Sequence, residues 1–196
     1  MTTTPATDET LLQSALRGDE GAFVALYRRW QGPIYRFARQ MCGSEAVAED
    51  VVQDVFLALV QDARRYDAER GPLSAYLYGI ARHLVLRRLR REGVREALME
   101  TEAVAALQES QPRHDEADAF DLIDRRESIE AVQRAIGSLP VSYREAIVLC
   151  DVQELPYEQA AVVIGCPIGT VRSRLHRGRA LLAEKLRARV GLRGIA

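Results

Sequence analysis

Four residues near the C-terminal end, Arg172, Ser173, His176 and Arg177, are spaced so that a helix brings them to one face. A guanidinium can pair bidentately with guanine in a major groove, whereas hydroxyl and imidazole groups contact base edges or phosphates with less discrimination. A second set starts in the loop RYDAERG, with Tyr66 and Asp67, and continues as a helical stripe of Tyr76, His83, Arg87 and Arg90. Rings can stack on unpaired bases there, and basic groups can track a single-stranded backbone. Drawing a base out of its stack costs on the order of a few kcal/mol, so such a site must offer both stacking and polar edges. A third set, Asp50, Gln53, Asp54 and Leu57, continues to Gln61 along one helical stripe. This acidic and amide face with one exposed leucine suits a basic partner helix.

Other chemistries find little support. The three histidines, at positions 83, 114 and 176, stand in no nucleophile or metal spacing, and the chain has no glycine-rich phosphate loop. Cys42, Cys150 and Cys166 are odd in number and form no Cys-x-x-Cys pair. The sequence therefore points to a non-enzymatic protein with no cofactor and no metal. No window approaches the roughly 18 apolar residues of a membrane span, and MTTTPATDET has neither part of a signal peptide. A cytoplasmic protein without membrane insertion is expected.

Net charge is only −1, yet it is unevenly spread. Residues 172–193 carry eight Lys and Arg against one Glu, and LVLRRLRRE is similarly basic. Residues 96–130 carry eleven acids against three arginines. Two basic stretches flank an acidic middle, the footprint of a chain that meets nucleic acid at two places.

These residues need helices to hold them. Apolar spacing predicts helices over 10–18, 21–41, 44–65 and 73–91, broken at GDEG, CGS and ERGP. Val47, Val51, Val55 and Leu59 recur at i+4 as a core stripe, with Ser44 as the N-cap. In the fourth segment Leu77, Ile80, Ala81 and Leu84 form the core face. The pattern fades over 94–121, which reads as a flexible acidic linker. It returns over 122–136, 141–152, 157–164 and 167–190. The expected fold is all-α, with two helical domains at 10–93 and 122–190.

Within the second domain Tyr157, Ala160, Ala161 and Ile164 put one apolar face on a short helix. Gly165 can take the left-handed conformation that ends it, and Pro167 suits the first position of the next. On that next helix Val171, Leu175, Gly178, Leu182 and Leu186 lie on the core side, opposite the four candidate DNA contacts. The result is a helix-turn-helix with its reading side separated from its core side.

The run LPYEQAAVVIGCPIGTVRSRLHRGRALLAEKL resembles region 4 of extracytoplasmic-function sigma factors of the sigma-70 family, and SLPVSYREAIVL resembles the segment before it. AEDVVQDVFLALVQDARRYDAERGPLSAYLYGIARHLVLRRLRR resembles region 2 of the same family. The resemblance implies a subunit that directs core RNA polymerase to promoters and assists their opening. It implies that Arg172, Ser173, His176 and Arg177 meet the minus 35 element. It also implies that Tyr66, Asp67, Tyr76, His83, Arg87 and Arg90 serve the minus 10 element. Asp50, Gln53, Asp54 and Leu57 would meet the clamp coiled coil of the polymerase largest subunit, and an anti-sigma factor is implied as a further partner. Three positions depart from the family's usual residues: Pro156 for serine, Tyr76 for tryptophan and His83 for asparagine. The other readings are a helix-turn-helix regulator that binds an operator without polymerase, and a sigma-like decoy that gives no transcript. Neither a docking stripe nor an aromatic loop has a purpose in an operator-binding regulator.

Overall fold

The computed structural model describes residues 6–102 and 120–193, and among these it is helical with no strand. Helix α1 spans Asp8–Leu16, α2 Glu20–Cys42, α3 Glu45–Asp62 and α4 Leu73–Glu102. Two short 3-10 turns, Ala63–Arg65 and Ala68–Arg70, join α3 to α4. Helix α5 spans Phe120–Gly137, α6 Val141–Ile147, α7 Tyr157–Ile164 and α8 Ile168–Arg193. Helix α4 runs past the expected end at residue 91, and most of the expected linker, 103–119, lies outside the described residues.

Local chemistry explains the helix starts. Thr7 Oγ1 accepts from the Thr10 N–H at 3.2 Å, Asp19 Oδ1 from Ala22 at 3.0 Å, and Ser44 Oγ from Val47 at 3.4 Å. Each cap satisfies a donor that the helix cannot, and is worth about 1 kcal/mol. Gly43 closes α2 at φ 75° and Gly165 closes α7 at φ 73°, a conformation that a Cβ disfavours. Pro167 differs from expectation by one position. It sits just before α8, where its carbonyl accepts from Thr170 at 2.8 Å and Val171 at 3.3 Å. A missing N–H is harmless at either position, so the sequence signal could not separate them.

In the first half, Ile34, Phe37 and Met41 of α2 meet Val51, Val55 and Leu59 of α3 and Leu77, Ala81 and Val85 of α4, all buried. Val47, the first residue of the expected stripe, is half-buried. In the second half, Ile147 and Leu149 are buried with Ala160, Ile164, Val171 and Leu175. Helix α6 widens into a π turn over Val148–Val152. A β-carbon built on Gly178 would lie 3.1 Å from Ile147 Cγ1, so this glycine lets α8 approach α6 closely.

The two halves lie against each other, chiefly α7 on α4 and α5 on α2, and the buried core is continuous between them. Among the described residues, three pairs joined by hydrogen bonds cross the seam. Arg82 pairs with Glu145, which is only 3% exposed, through Nη2 to Oε2 at 3.3 Å. The Tyr78 hydroxyl donates to Gln153 Oε1 at 3.0 Å, and Arg144 Nη1 donates to the Met41 carbonyl at 2.6 Å. Among the described residues, the buried side-chain atoms without a well-formed hydrogen bond are Arg82 Nε, Arg144 Nε, Glu145 Oε1 and Gln153 Nε2. Arg82 Nε and Glu145 Oε1 lie 2.9 Å apart and attract as charges, but they are not aligned as donor and acceptor. All four atoms belong to residues at the seam. Unsatisfied buried polar atoms carry a desolvation cost, and among the described residues that cost falls at the seam.

Candidate nucleic-acid interface

Helix α8 carries the first candidate site. Arg172, Ser173, His176 and Arg177 are all exposed, while Val171, Leu175 and Gly178 between them are buried against α6 and α7. A continuous helix held by one apolar side must turn its other side outward, and here that side is cationic. Ser173 also donates to the Thr170 carbonyl at 3.0 Å, a bond within the helix that leaves its oxygen able to accept. Arg179 has a different task. Its Nε and Nη2 donate to Asp151 Oδ2 and Oδ1 at 2.9 and 2.6 Å, which ties α8 to the π turn after α6. That pairing raises the Arg179 pKa further above its ordinary value. Sequence reading missed Asp151, because partners 28 residues apart in different helices leave no periodic signal.

The second candidate site is a cavity of about 570 Å³ between the loop after α3 and the outer side of α4. Tyr66, Asp67, Tyr76 and His83 all line it, as expected of residues acting together. Arg87 and Arg90 do not line it, and they extend the exposed side of α4 beyond its end. The Tyr66 and Tyr76 rings lie 5.6 Å apart at 51° and make one aromatic wall. Burial, together with the negative charge of Glu9, pushes the Tyr66 phenol up to about 12, and burial also raises Tyr76. Both rings therefore stay neutral at physiological pH. Asp67 Oδ1 accepts from the Glu69 N–H at 3.0 Å, so this carboxylate also shapes the loop. Two lining residues come from elsewhere. Val162 and Val163, on the first helix of the helix-turn-helix, form part of the wall.

The third set lies on α3. Gln53 is exposed, Leu57 is 55% exposed and Val60, one turn on, 58%. Asp50 and Asp54 are not unpartnered, as a plain stripe would have them. Arg88 Nη2 of α4 reaches Asp54 Oδ2 at 3.0 Å and Asp50 Oδ2 at 3.6 Å, and its Nη1 donates to the Val47 carbonyl. The acidic face is thus braced from behind, while the apolar groups beside it are open.

A helix-turn-helix with a cationic outer face, joined to a helical bundle with an aromatic cavity, defines a two-part helical DNA-binding protein. Comparison with known proteins gives its family. Residues 26–95 match the Sigma-70 region 2 family and residues 129–182 match Sigma-70, region 4. The chain is 34% identical over 184 residues to the ECF RNA polymerase sigma factor SigM of Mycobacterium tuberculosis, covering 91% of this chain and 84% of SigM. It is also 34% identical over 177 residues to the ECF RNA polymerase sigma factor SigE of Mycolicibacterium smegmatis, covering 86% of this chain but spanning 64% of that relative's length. Among solved structures, CnrH in complex with the cytosolic domain of CnrY superposes with a TM-score of 0.69 at 26% identity, covering 93% of this chain and 99% of that one. The sigma factor RpoE of Bartonella quintana, solved with the anti-sigma factor NepR, gives 0.60 at 28% identity, covering 80% and 91%.

The chain belongs to the extracytoplasmic-function group of the sigma-70 family. It is a sigma factor, a transcription-initiation protein that directs core RNA polymerase to promoters and is not an enzyme. Among the described residues no helix is long and apolar enough to cross a membrane.

Proposed function

We propose that the work of initiation is divided among three places. Domain 122–190 reads the minus 35 element through Arg172, Ser173, His176 and Arg177. Domain 10–93 receives an unstacked minus 10 base in the cavity of Tyr66, Asp67, Tyr76 and His83, with Arg87 and Arg90 following the strand. Gln53 and Leu57 of α3, flanked by Asp50 and Asp54, dock on the clamp coiled coil of the polymerase largest subunit, and segment 94–121 spans the gap. Linking two modest affinities in this way raises the effective concentration of the second contact. The protein works in the cytoplasm, where polymerase and promoters are. An anti-sigma factor is its further partner, a reading supported by the likeness to the Bartonella sigma factor solved with one.

The observation that carries this reading is the split on α8, where four polar residues are exposed and the apolar positions between them are buried. The cavity adds a mechanistic requirement. With Val162 and Val163 in its wall, α7 occupies space beside the downstream site. On this reading α7 moves off α4 when both elements are held, and the molecule opens at the seam.

Arg177→Ala tests the upstream assignment, since the side chain is exposed and its loss leaves no hole in the core. A bidentate contact to guanine predicts a loss of about 1–3 kcal/mol confined to promoters with that base pair. A phosphate contact predicts an even loss across sequences and a shallower salt dependence. Affinity of the reconstituted holoenzyme for single-base promoter variants at two salt concentrations separates them, and no loss on any template refutes the placement of α8.

A further inference from the structure

Glu9, in the first turn of α1, is half-buried beside the loop that carries Tyr66. Its Oε1 accepts from the Tyr66 hydroxyl at 3.2 Å and faces the Leu73 backbone N–H at 3.5 Å. These donors stand at the two ends of the loop, for Tyr66 leads into it and Leu73 begins α4. One oxygen therefore spans the loop's base. The residue before it is also anchored, with Asp8 accepting from Arg29 Nη1 at 2.5 Å and from the Trp30 indole N–H at 3.0 Å. A continuous line of contacts thus runs from α2, through the start of α1, to the cavity wall.

The chemistry suits a fixed strut. Pro72, immediately before α4, has no side-chain acceptor with which to cap that helix. A carboxylate brought from α1 meets the positive end of α4 and satisfies one of its N-terminal donors. Hydrogen bonding to its own backbone N–H, opposed by burial and aided by Leu73 and Tyr66, holds the Glu9 carboxyl below its usual range. With the phenol pushed up to about 12, the donor stays protonated and the acceptor ionised across the neutral range, the stronger kind of hydrogen bond.

We infer that Glu9 is the positioning residue of the downstream site: by holding the Tyr66 hydroxyl and the start of α4 together, it sets the width of the cavity and so the discrimination among unstacked bases. The inference rests on reading that cavity as the base pocket. No property of α1 seen in the sequence pointed to it, since the acid and its partners lie 57 and 64 residues apart.

The test uses holoenzyme reconstituted with core polymerase. Its probes are single-stranded oligonucleotides taken from promoters mapped by transcript-start sequencing, with each of the four bases placed in turn along the minus 10 element. Glu9→Ala is expected to lower the preference for the favoured base about tenfold, the effect of one hydrogen bond to a charged group. Tyr66→Phe, which removes one oxygen, should do the same, and the double variant should lose no more than either single. Glu9→Gln keeps an acceptor oxygen but gives up its charge, and should fall between wild type and Glu9→Ala, about threefold below wild type. Core affinity, read on the distant α3 face, should not change in any of them. If Tyr66→Ala abolishes the preference while Glu9→Ala and Tyr66→Phe keep it, the role of Glu9 is overturned and the pocket reading stands. If Tyr66→Ala keeps it as well, the pocket reading falls and the inference with it. Should Glu9→Ala fail to fold, Tyr66→Phe decides alone, and an unaltered preference there overturns the inference.

Discussion

The two places proposed to face DNA in this sigma factor are built on opposite plans. On α8 a single helix presents Arg172, Ser173, His176 and Arg177 outward, exposed among the described residues. The downstream cavity draws its walls from α3, the loop, α4 and even α7. A face is complete as soon as its helix folds. A cavity depends on how the elements around it stand, and therefore on whether the halves are together. Here the outer face of α8 is open while the cavity is shared with α7, the first helix of the helix-turn-helix. On the function proposed above, promoter opening is coupled to separation of the two halves.

The largest expected effect breaks this comparison at the seam. Glu145→Ala removes the carboxylate that Arg82 faces and leaves a guanidinium only 25% exposed without its partner. Losing one member of a buried pair costs about 3 kcal/mol or more, here drawn mostly from the contact between halves. Trp30 reports on it. The chain's single tryptophan lies in a second cleft bordered by Gln153, Leu155 and Pro156, with its ring perpendicular to Tyr78. Opening should shift Trp30 emission to the red, preserve helicity, and strengthen binding of minus 10 single strands while leaving minus 35 duplex binding unchanged. Unchanged emission together with unchanged single-strand binding would show that the seam does not gate the cavity.

A second test asks whether the docking face behaves like α8, as an open face indifferent to the seam. Leu57→Glu, at a position 55% exposed, should weaken core polymerase binding by about 2 kcal/mol, the scale of an interface hot spot, without altering the melting curve. It is a cleaner probe than Asp54, whose replacement also breaks the Arg88 contact inside the fold. Equal polymerase binding by wild type and Leu57→Glu would move the docking surface elsewhere. Doubling the Leu57→Glu and Glu145→Ala changes should give additive effects, since the two sites share no contact partner.

The same contrast explains what could be read in advance. Faces are written in one helix at a fixed period, so the α8 stripe, the α3 stripe and the Gly165 helix stop were all legible from spacing. Ser44 was legible too, because a cap acts three residues away. What joins distant segments was not. Arg88 was read only as one more basic residue, although it turns inward to Asp50 and Asp54. Glu145 looks like an ordinary acid on a helix and is in fact buried at the seam. The contribution of Val162 and Val163 to the cavity depends on how the halves meet, and no pattern local to α7 carries that.

The smallest expected effect sharpens the comparison from the upstream side. Gly178 was placed on the core side of α8 by periodicity alone, and the structure gives the reason it must be small. A methyl group there would meet Ile147 Cγ1 at 3.1 Å and Tyr143 Cβ at 3.4 Å, and Ile147 is 1% exposed, with little room to yield. Gly178→Ala therefore sets two terms against each other. Alanine favours the helix by roughly 0.8–1 kcal/mol, while overpacking costs about 1–3 kcal/mol. The net loss should be about 1 kcal/mol, visible as a lowered midpoint in urea with an unchanged slope. Relief of the clash requires α8 to tilt away from α6, which turns Arg172 and Arg177 relative to α7 and should weaken duplex binding at the minus 35 element. Binding of minus 10 single strands should not follow, because no residue of α8 lines the cavity. If Gly178→Ala instead stabilised the protein and left promoter affinity intact, Ile147 would have yielded, and close approach of α8 to α6 would not be what aims the reading face.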